Sequence, residues 1–121
     1  MRNAFFKEFK KLMQTDQSLF FLTGDTGFNL VEPIFDQAPN RALNVGVAEQ
    51  NLIGIASGLV NVGFIPICYA ITNFLVERCF EQIRNDVCLH EYKVILIGTS
   101  TGYDNGALGA THHKLDDIGA L

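Results

Sequence analysis

The chain has 121 residues, 48% of them hydrophobic and 18% charged, with a formal net charge of -4 from 9 Lys+Arg and 13 Asp+Glu. That length holds one domain around one core, and the acidic balance, with no basic patch, argues against a nucleic-acid partner. No run of about 18 apolar residues offers a membrane span. Three cysteines, Cys68, Cys79 and Cys88, are an odd number in predicted strand or helix, which favours reduced, buried thiols in a cytoplasmic protein over a disulfide framework. At the start, Phe5, Phe6 and Phe9 are interrupted by Lys7, Glu8, Lys10 and Lys11, unlike the apolar run of a signal peptide.

Residues 3–13 predict an amphipathic helix, with Phe5, Phe9, Leu12 and Met13 on one face and Lys7, Lys10 and Lys11 off it. Residues 19–22 predict a first buried strand, ended by Gly24-Asp25-Thr26-Gly27. Residues 30–35 predict one or two helical turns disturbed by Pro33, and Pro39-Asn40-Arg41 a turn. Asn44-Val45-Gly46-Val47 reads as the end of a buried strand that feeds an apolar helix rich in small residues, Ala48, Gly54, Ala56, Ser57 and Gly58. Such a helix lets another backbone or a ligand approach. Residues 64–69 predict a third strand, placed at an edge or bulge by Pro66. Residues 71–89 predict one long helix with Val76, Phe80, Ile83 and Val87 inward. A fourth strand follows at residues 93–98, then a Gly-rich loop at 99–113, and Asp116-Asp117-Ile118 opens a further helix. Strand and helix in alternation imply an α/β fold, a parallel sheet with helices on both faces. With the last helix barely begun, the expectation is a domain spanning residues 1–121 and incomplete at its C-terminal end.

Glu49 stands where the second strand meets its helix, the place where open α/β sheets bind ligands. An acid in a helix's first turn is also what the helix dipole alone favours. Its neighbours Val45, Val47, Leu52, Ile53 and Ile55 are apolar, and a desolvated carboxyl can exchange a proton with a ring nitrogen. The Gly-rich loop carries Gly98, Gly102, Gly106 and Gly109 before His112 and His113. It fits an anion-binding loop or a plain surface loop, and matches neither nucleotide-binding glycine motif. Adjacent histidines point apart, and no Cys or carboxylate stands at metal-ligand spacing from them, so no metal site is expected within the chain. One of the pair suits a substrate-facing acid, base or donor. Phe74 is a candidate flat surface for an aromatic ring; Arg78 reads as a solvated face and Phe80 as core.

Together, NVGVAEQNLIGIASGL, NFLVERCFEQIRND and GALGATHHKLDDI resemble the pyrimidine-binding (Pyr) domain of transketolase-like thiamine diphosphate enzymes, and most of all the C-terminal subunit of split transketolases. The resemblance implies a transketolase-like transferase of carbohydrate metabolism, moving a two-carbon ketol unit from a ketose to an aldose with thiamine diphosphate as cofactor. Glu49 matches the glutamate that hydrogen-bonds the aminopyrimidine ring nitrogen and promotes the imino tautomer that takes the thiazolium C2 proton. Phe74 matches the aromatic packed on the pyrimidine. Arg78 lies near a position that contacts substrate phosphate, at a spacing from Phe74 one residue longer than in some members. His112 matches the substrate-facing histidine of a Thr-His motif, and His113 is counted with it.

Gly24-Asp25-Thr26 resembles the Gly-Asp-Gly that opens a diphosphate–metal site in thiamine enzymes, but its third residue is Thr. It reads as a turn that brings Asp25 near the cofactor. Many members carry an acid four residues before the histidine, where it reads a substrate hydroxyl; here that residue is Leu108. The family's diphosphate and Mg2+ site belongs to another domain. The resemblance therefore implies a partner subunit carrying that site, an oligomeric assembly, and a sugar phosphate or related substrate. The alternatives are a subunit of a deoxyxylulose phosphate synthase-like enzyme, a 2-oxoacid dehydrogenase β-type subunit, or a non-catalytic α/β domain.

Overall fold

A computed structural model describes residues 1–113 and 117–121. Four parallel strands, β1 (Leu19–Thr23), β2 (Ala42–Asn44), β3 (Ile65–Ile71) and β4 (Ile95–Thr99), form one sheet in the order β2-β1-β3-β4. Period-2 alternation sends Phe21, Ile67 and Tyr69 to one face and Leu22, Cys68 and Ala70 to the other. Helices α1 (Arg2–Thr15) and α2 (Glu32–Gln37) cover the first face through Phe6, Phe9, Met13 and Ile34. Helices α3 (Glu49–Asn61) and α4 (Thr72–Val76) cover the second through Leu52, Ile53, Ala56 and Leu75. The expected α/β architecture, a parallel sheet with helices on both faces, is thus present. Both faces being covered explains why the strands read as continuous apolar runs.

Several expectations are corrected. In α1 the inward stripe is Phe6, Phe9 and Met13: Phe6 packs on Phe21 and Tyr69, Phe9 on Phe21, and Met13 is buried in the same cluster; Leu12 is exposed. Pro33 starts α2 instead of disturbing it, since a helix's first turn has no use for the missing N–H. Strand β2 ends at Asn44. Val45 still donates its N–H to Thr23 O, and Gly46, at φ 76, then turns the chain, leaving Val47 exposed. Pro66 lies in a central strand, not at an edge. It is tolerated near the start of β3 because Ile65 N–H bonds to Ser18 O on the β1 side. Position 66 therefore faces β4, whose pairing begins only at Ile67.

The long helix is broken. After α4 comes a turn at residues 77–79, then α5 (Phe80–Gln82), running directly into a π-helical stretch, Ile83–Cys88. The break rotates Phe80 out to solvent and puts Cys79 in the core with Val76, Ile83 and Val87. Cys68 and Cys79 are buried free thiols as expected, but Cys88 is exposed. Within the small-residue helix, Ala56 and Ser57 are buried against the chain's own sheet, while Gly54 and Gly58 face open space. Two 3-10 turns, Gly106–Leu108 and Ala110–His112, shape the Gly-rich loop. The last helix, α6, runs Asp117–Ala120; Asp116 lies outside the described residues. Among the described residues no helix is long and apolar enough to cross a membrane.

Candidate functional site: an acid–aromatic corner at the switch point of the sheet

Strand β1 pairs with β2 on one side and β3 on the other, so the chain reverses its direction of build between β1 and β3. The C-terminal ends of strands at such a reversal form a crevice. Glu49, the first residue of α3, projects into it. A Cβ at Gly24, just beyond β1, would stand 3.4 Å from Glu49 Cγ and 3.6 Å from Ala70 Cβ of β3. The acid is thus lodged between the two strand ends, and only 2% of it is exposed.

A buried carboxylate needs a partner, and here it is Arg78, whose Nη1 donates to Glu49 Oε2 at 2.6 Å. The guanidinium also lies over the ring of Phe74, with Cζ 4.4 Å from the centroid, a cation–π contact worth roughly 0.5–2 kcal/mol. The Arg78 backbone is itself tied to α3, since Gln50 Nε2 donates to Arg78 O at 3.1 Å. Phe74 meets the ring of His112 edge-on, centroids 5.1 Å apart. The loop bearing His112 is pinned to α4 by buried Asn73, whose Nδ2 donates to Thr111 O at 2.7 Å. Glu49, Arg78, Phe74 and His112 therefore form one continuous cluster built from α3, the turn after α4, α4 itself and the Gly-rich loop.

Two predicted residues lie outside that cluster. Asp25, at φ 55, forms a reciprocal pair with Asn44. Its N–H is accepted by Asn44 Oδ1 at 3.0 Å, and its Oδ1 accepts from Asn44 Nδ2 at 2.9 Å. It borders a separate hollow with Phe28, Val31 and Phe35. His113 packs edge-on to Tyr103, centroids 4.9 Å apart, within the Gly-rich loop. Adjacent histidines do point to different surroundings. Leu108 is exposed.

Sequence reasoning missed Asn73, Gln50 and the pairing of Arg78 with Glu49. The four-residue interval from Phe74 to Arg78 hinted only at the contact between those two side chains; nothing local marks the pairing with Glu49, 29 residues away. The corner's charge reaches its surroundings. Burial first, and the nearby Glu49 carboxylate second, push the Cys79 thiol up to about 12, with Arg78 opposing.

A nearly buried carboxylate beside a phenyl face offers the acceptor and the flat apolar surface that a protonated heteroaromatic ring such as an aminopyrimidine would need; in this structure the Arg78 guanidinium engages both. Among the described residues no three His, Cys, Asp or Glu side chains are grouped to hold a metal ion.

A family model described as "Transketolase, pyrimidine binding domain" matches residues 1–121. The B chain of an apulose-4-phosphate transketolase from Actinobacillus succinogenes is 40% identical over 91 residues, covering 75% of this chain and 29% of that protein. A 1-deoxy-D-xylulose-5-phosphate synthase of Cytophaga hutchinsonii is 34% identical over 85 residues, covering 70% of this chain and 13% of that protein. A solved structure of a split gene transketolase, an inactive β4 tetramer, matches with a TM-score of 0.84 at 33% identity, covering 99% of this chain and 38% of that one. The chain thus spans 13–38% of the length of these relatives. By this match over its whole length, and by the fold it shares with the solved relative, the chain belongs to the transketolase pyrimidine-binding domain family.

Proposed function

We propose that this chain is the pyrimidine-binding half of a thiamine diphosphate-dependent, transketolase-like enzyme that moves a two-carbon ketol unit between sugars. It works with a partner subunit that carries the diphosphate and Mg2+ site. The observation that carries the reading is Glu49: an acid with 2% exposure, at a strand–helix junction beside an aromatic face. Thiamine diphosphate, when bound, supplies the carbon nucleophile and electron sink that amino-acid side chains lack. The chain's own residues bind, orient and move a proton. Glu49 holds the proton at the pyrimidine ring nitrogen, in surroundings where its hydrogen bond is stronger than in water. Phe74 offers the ring a flat apolar face. His112, touching Phe74, faces the substrate side as donor or base, with His113 behind it in the same loop. Arg78 serves an anionic substrate group, and Asp25 lies at the cofactor's rim.

The need for a partner is supported by the resemblance and by the relative solved as an inactive β4 tetramer. An oligomeric, cytoplasmic enzyme fits the free buried thiols Cys68 and Cys79. A deoxyxylulose phosphate synthase-like subunit is the second reading, supported by the 34% identical relative of that name.

The test is reconstitution. The chain is mixed with a diphosphate-binding subunit, Mg2+ and thiamine diphosphate, and two-carbon transfer from a ketose is followed. Turnover is expected only when all components are present. No turnover with any partner contradicts the proposal and favours a non-catalytic domain.

A further inference from the structure

We propose that Arg78 is a latch on the pyrimidine site: in the free chain its guanidinium fills the acid–aromatic corner, and cofactor docking must displace it. This rests on the reading of Glu49 and Phe74 as pyrimidine-binding groups. Both are engaged by the same flat cation, through the 2.6 Å contact with Glu49 Oε2 and the stack 4.4 Å above Phe74. A pyrimidine needs the same carboxylate and the same ring, so occupancy by the two is mutually exclusive.

The placement suits a movable plug. The Arg78 side chain is 41% exposed while that of Glu49 is 2% exposed, so the guanidinium closes the mouth and the acid lies beneath it. Arg78 sits in the turn at residues 77–79, outside any helical ladder. Its backbone is held by Gln50 at Arg78 O, and the preceding Glu77 N–H bonds to Asn73 O. Displacement therefore needs only side-chain rotation into solvent, with no backbone movement. The latch also settles a problem of the free chain. A buried carboxylate without a cofactor would be left uncompensated, which is costly; Arg78 neutralises it until the ring arrives. Once displaced, the guanidinium is released at the mouth of the corner, free to meet an anionic substrate. Cofactor docking thus precedes and enables that contact. A latch closed about 90% of the time weakens apparent pyrimidine affinity about tenfold.

The test titrates the full chain with the isolated aminopyrimidine half of thiamine and follows it by NMR. Arg78→Gln, Arg78→Lys and Glu49→Gln are run beside the wild type, and thermal melts confirm that each folds. Arg78→Gln should bind about tenfold tighter than wild type. Arg78→Lys should fall between them, because an ammonium keeps the charge but not the flat stack. Glu49→Gln should lose binding. In the free wild type the Arg78 side-chain protons should be shifted by the Phe74 ring current, and they should return to free-arginine positions as the pyrimidine saturates the site. Equal or weaker binding by Arg78→Gln, with binding still lost in Glu49→Gln, overturns the latch and leaves the Glu49 assignment standing. Unshifted Arg78 protons in the free chain overturn the latch whatever binds. Shifted protons with no pyrimidine binding to any chain overturn the assignment of the site and the latch together.

Discussion

Glu49 and the two buried cysteines show how a few side chains register the corner's environment. Burial pushes the thiols of Cys68 and Cys79 up to about 12, away from the thiolate, which is the reactive form. Cys88 is exposed. A thiol reagent should therefore modify one cysteine quickly in the native chain and the other two only on unfolding, as read by mass after timed quenching. Three equal rates would contradict the burial of the core beside Glu49. At this scale the sequence was partly informative. The acid and its apolar neighbours were visible together, and Phe74 and His112 stood out as candidates. What was not visible was that Arg78, 29 residues from Glu49, closes the set. Long-range ion pairs leave no mark in local periodicity, and a lone arginine reads as solvated surface.

Among the elements, β4 and the start of α4 meet closely at Gly98. A Cβ on Gly98 would come 2.6 Å from Thr72 Oγ1, the hydroxyl that donates to Thr99 O at 2.8 Å. Gly98→Ala should therefore cost about 1–3 kcal/mol. Gly54→Ala, in the interior of α3 with nothing within 4 Å of the added carbon, should stabilise by about 0.5–1 kcal/mol. Urea unfolding midpoints at an unchanged slope measure both; equal effects of the two would contradict the packing. Most strands were legible because both sheet faces are covered, so each is a short apolar run. Helix α3 was legible because its stripe is regular. The break at residues 77–79 was hidden, since Val76, Ile83 and Val87 keep a helix-like stripe even when the turn and π stretch intervene. Pro66 misled because its missing donor faces β4 only where β4 has not yet begun to pair.

Across the whole molecule, fold and charge set the conditions under which the corner works. Ser18's hydroxyl and then its N–H hold the Asp16 carboxyl below the ordinary carboxylate range. The N–H of Glu32 itself and then that of Asn29 do the same for Glu32. A carboxyl depressed on folding contributes stability above its unfolded value, and that stability is lost as pH falls through the folded one. Unfolding midpoints should therefore be level near neutrality and decline in acid. Asp16→Asn/Glu32→Gln should flatten the decline, and an identical acid limb in that variant would contradict the assignment. Placing Glu49 at the switch point between β1 and β3 gives the molecule its central feature, a nearly buried acid held by Arg78 beside the Phe74 ring. The most direct measurement is C2 proton–deuterium exchange of thiamine diphosphate in the reconstituted complex, for wild type and Glu49→Gln. The account predicts that exchange slows by about 10²- to 10⁴-fold in the variant while the fold, read by thermal melting, is kept. Exchange at the wild-type rate in a folded Glu49→Gln complex would contradict it.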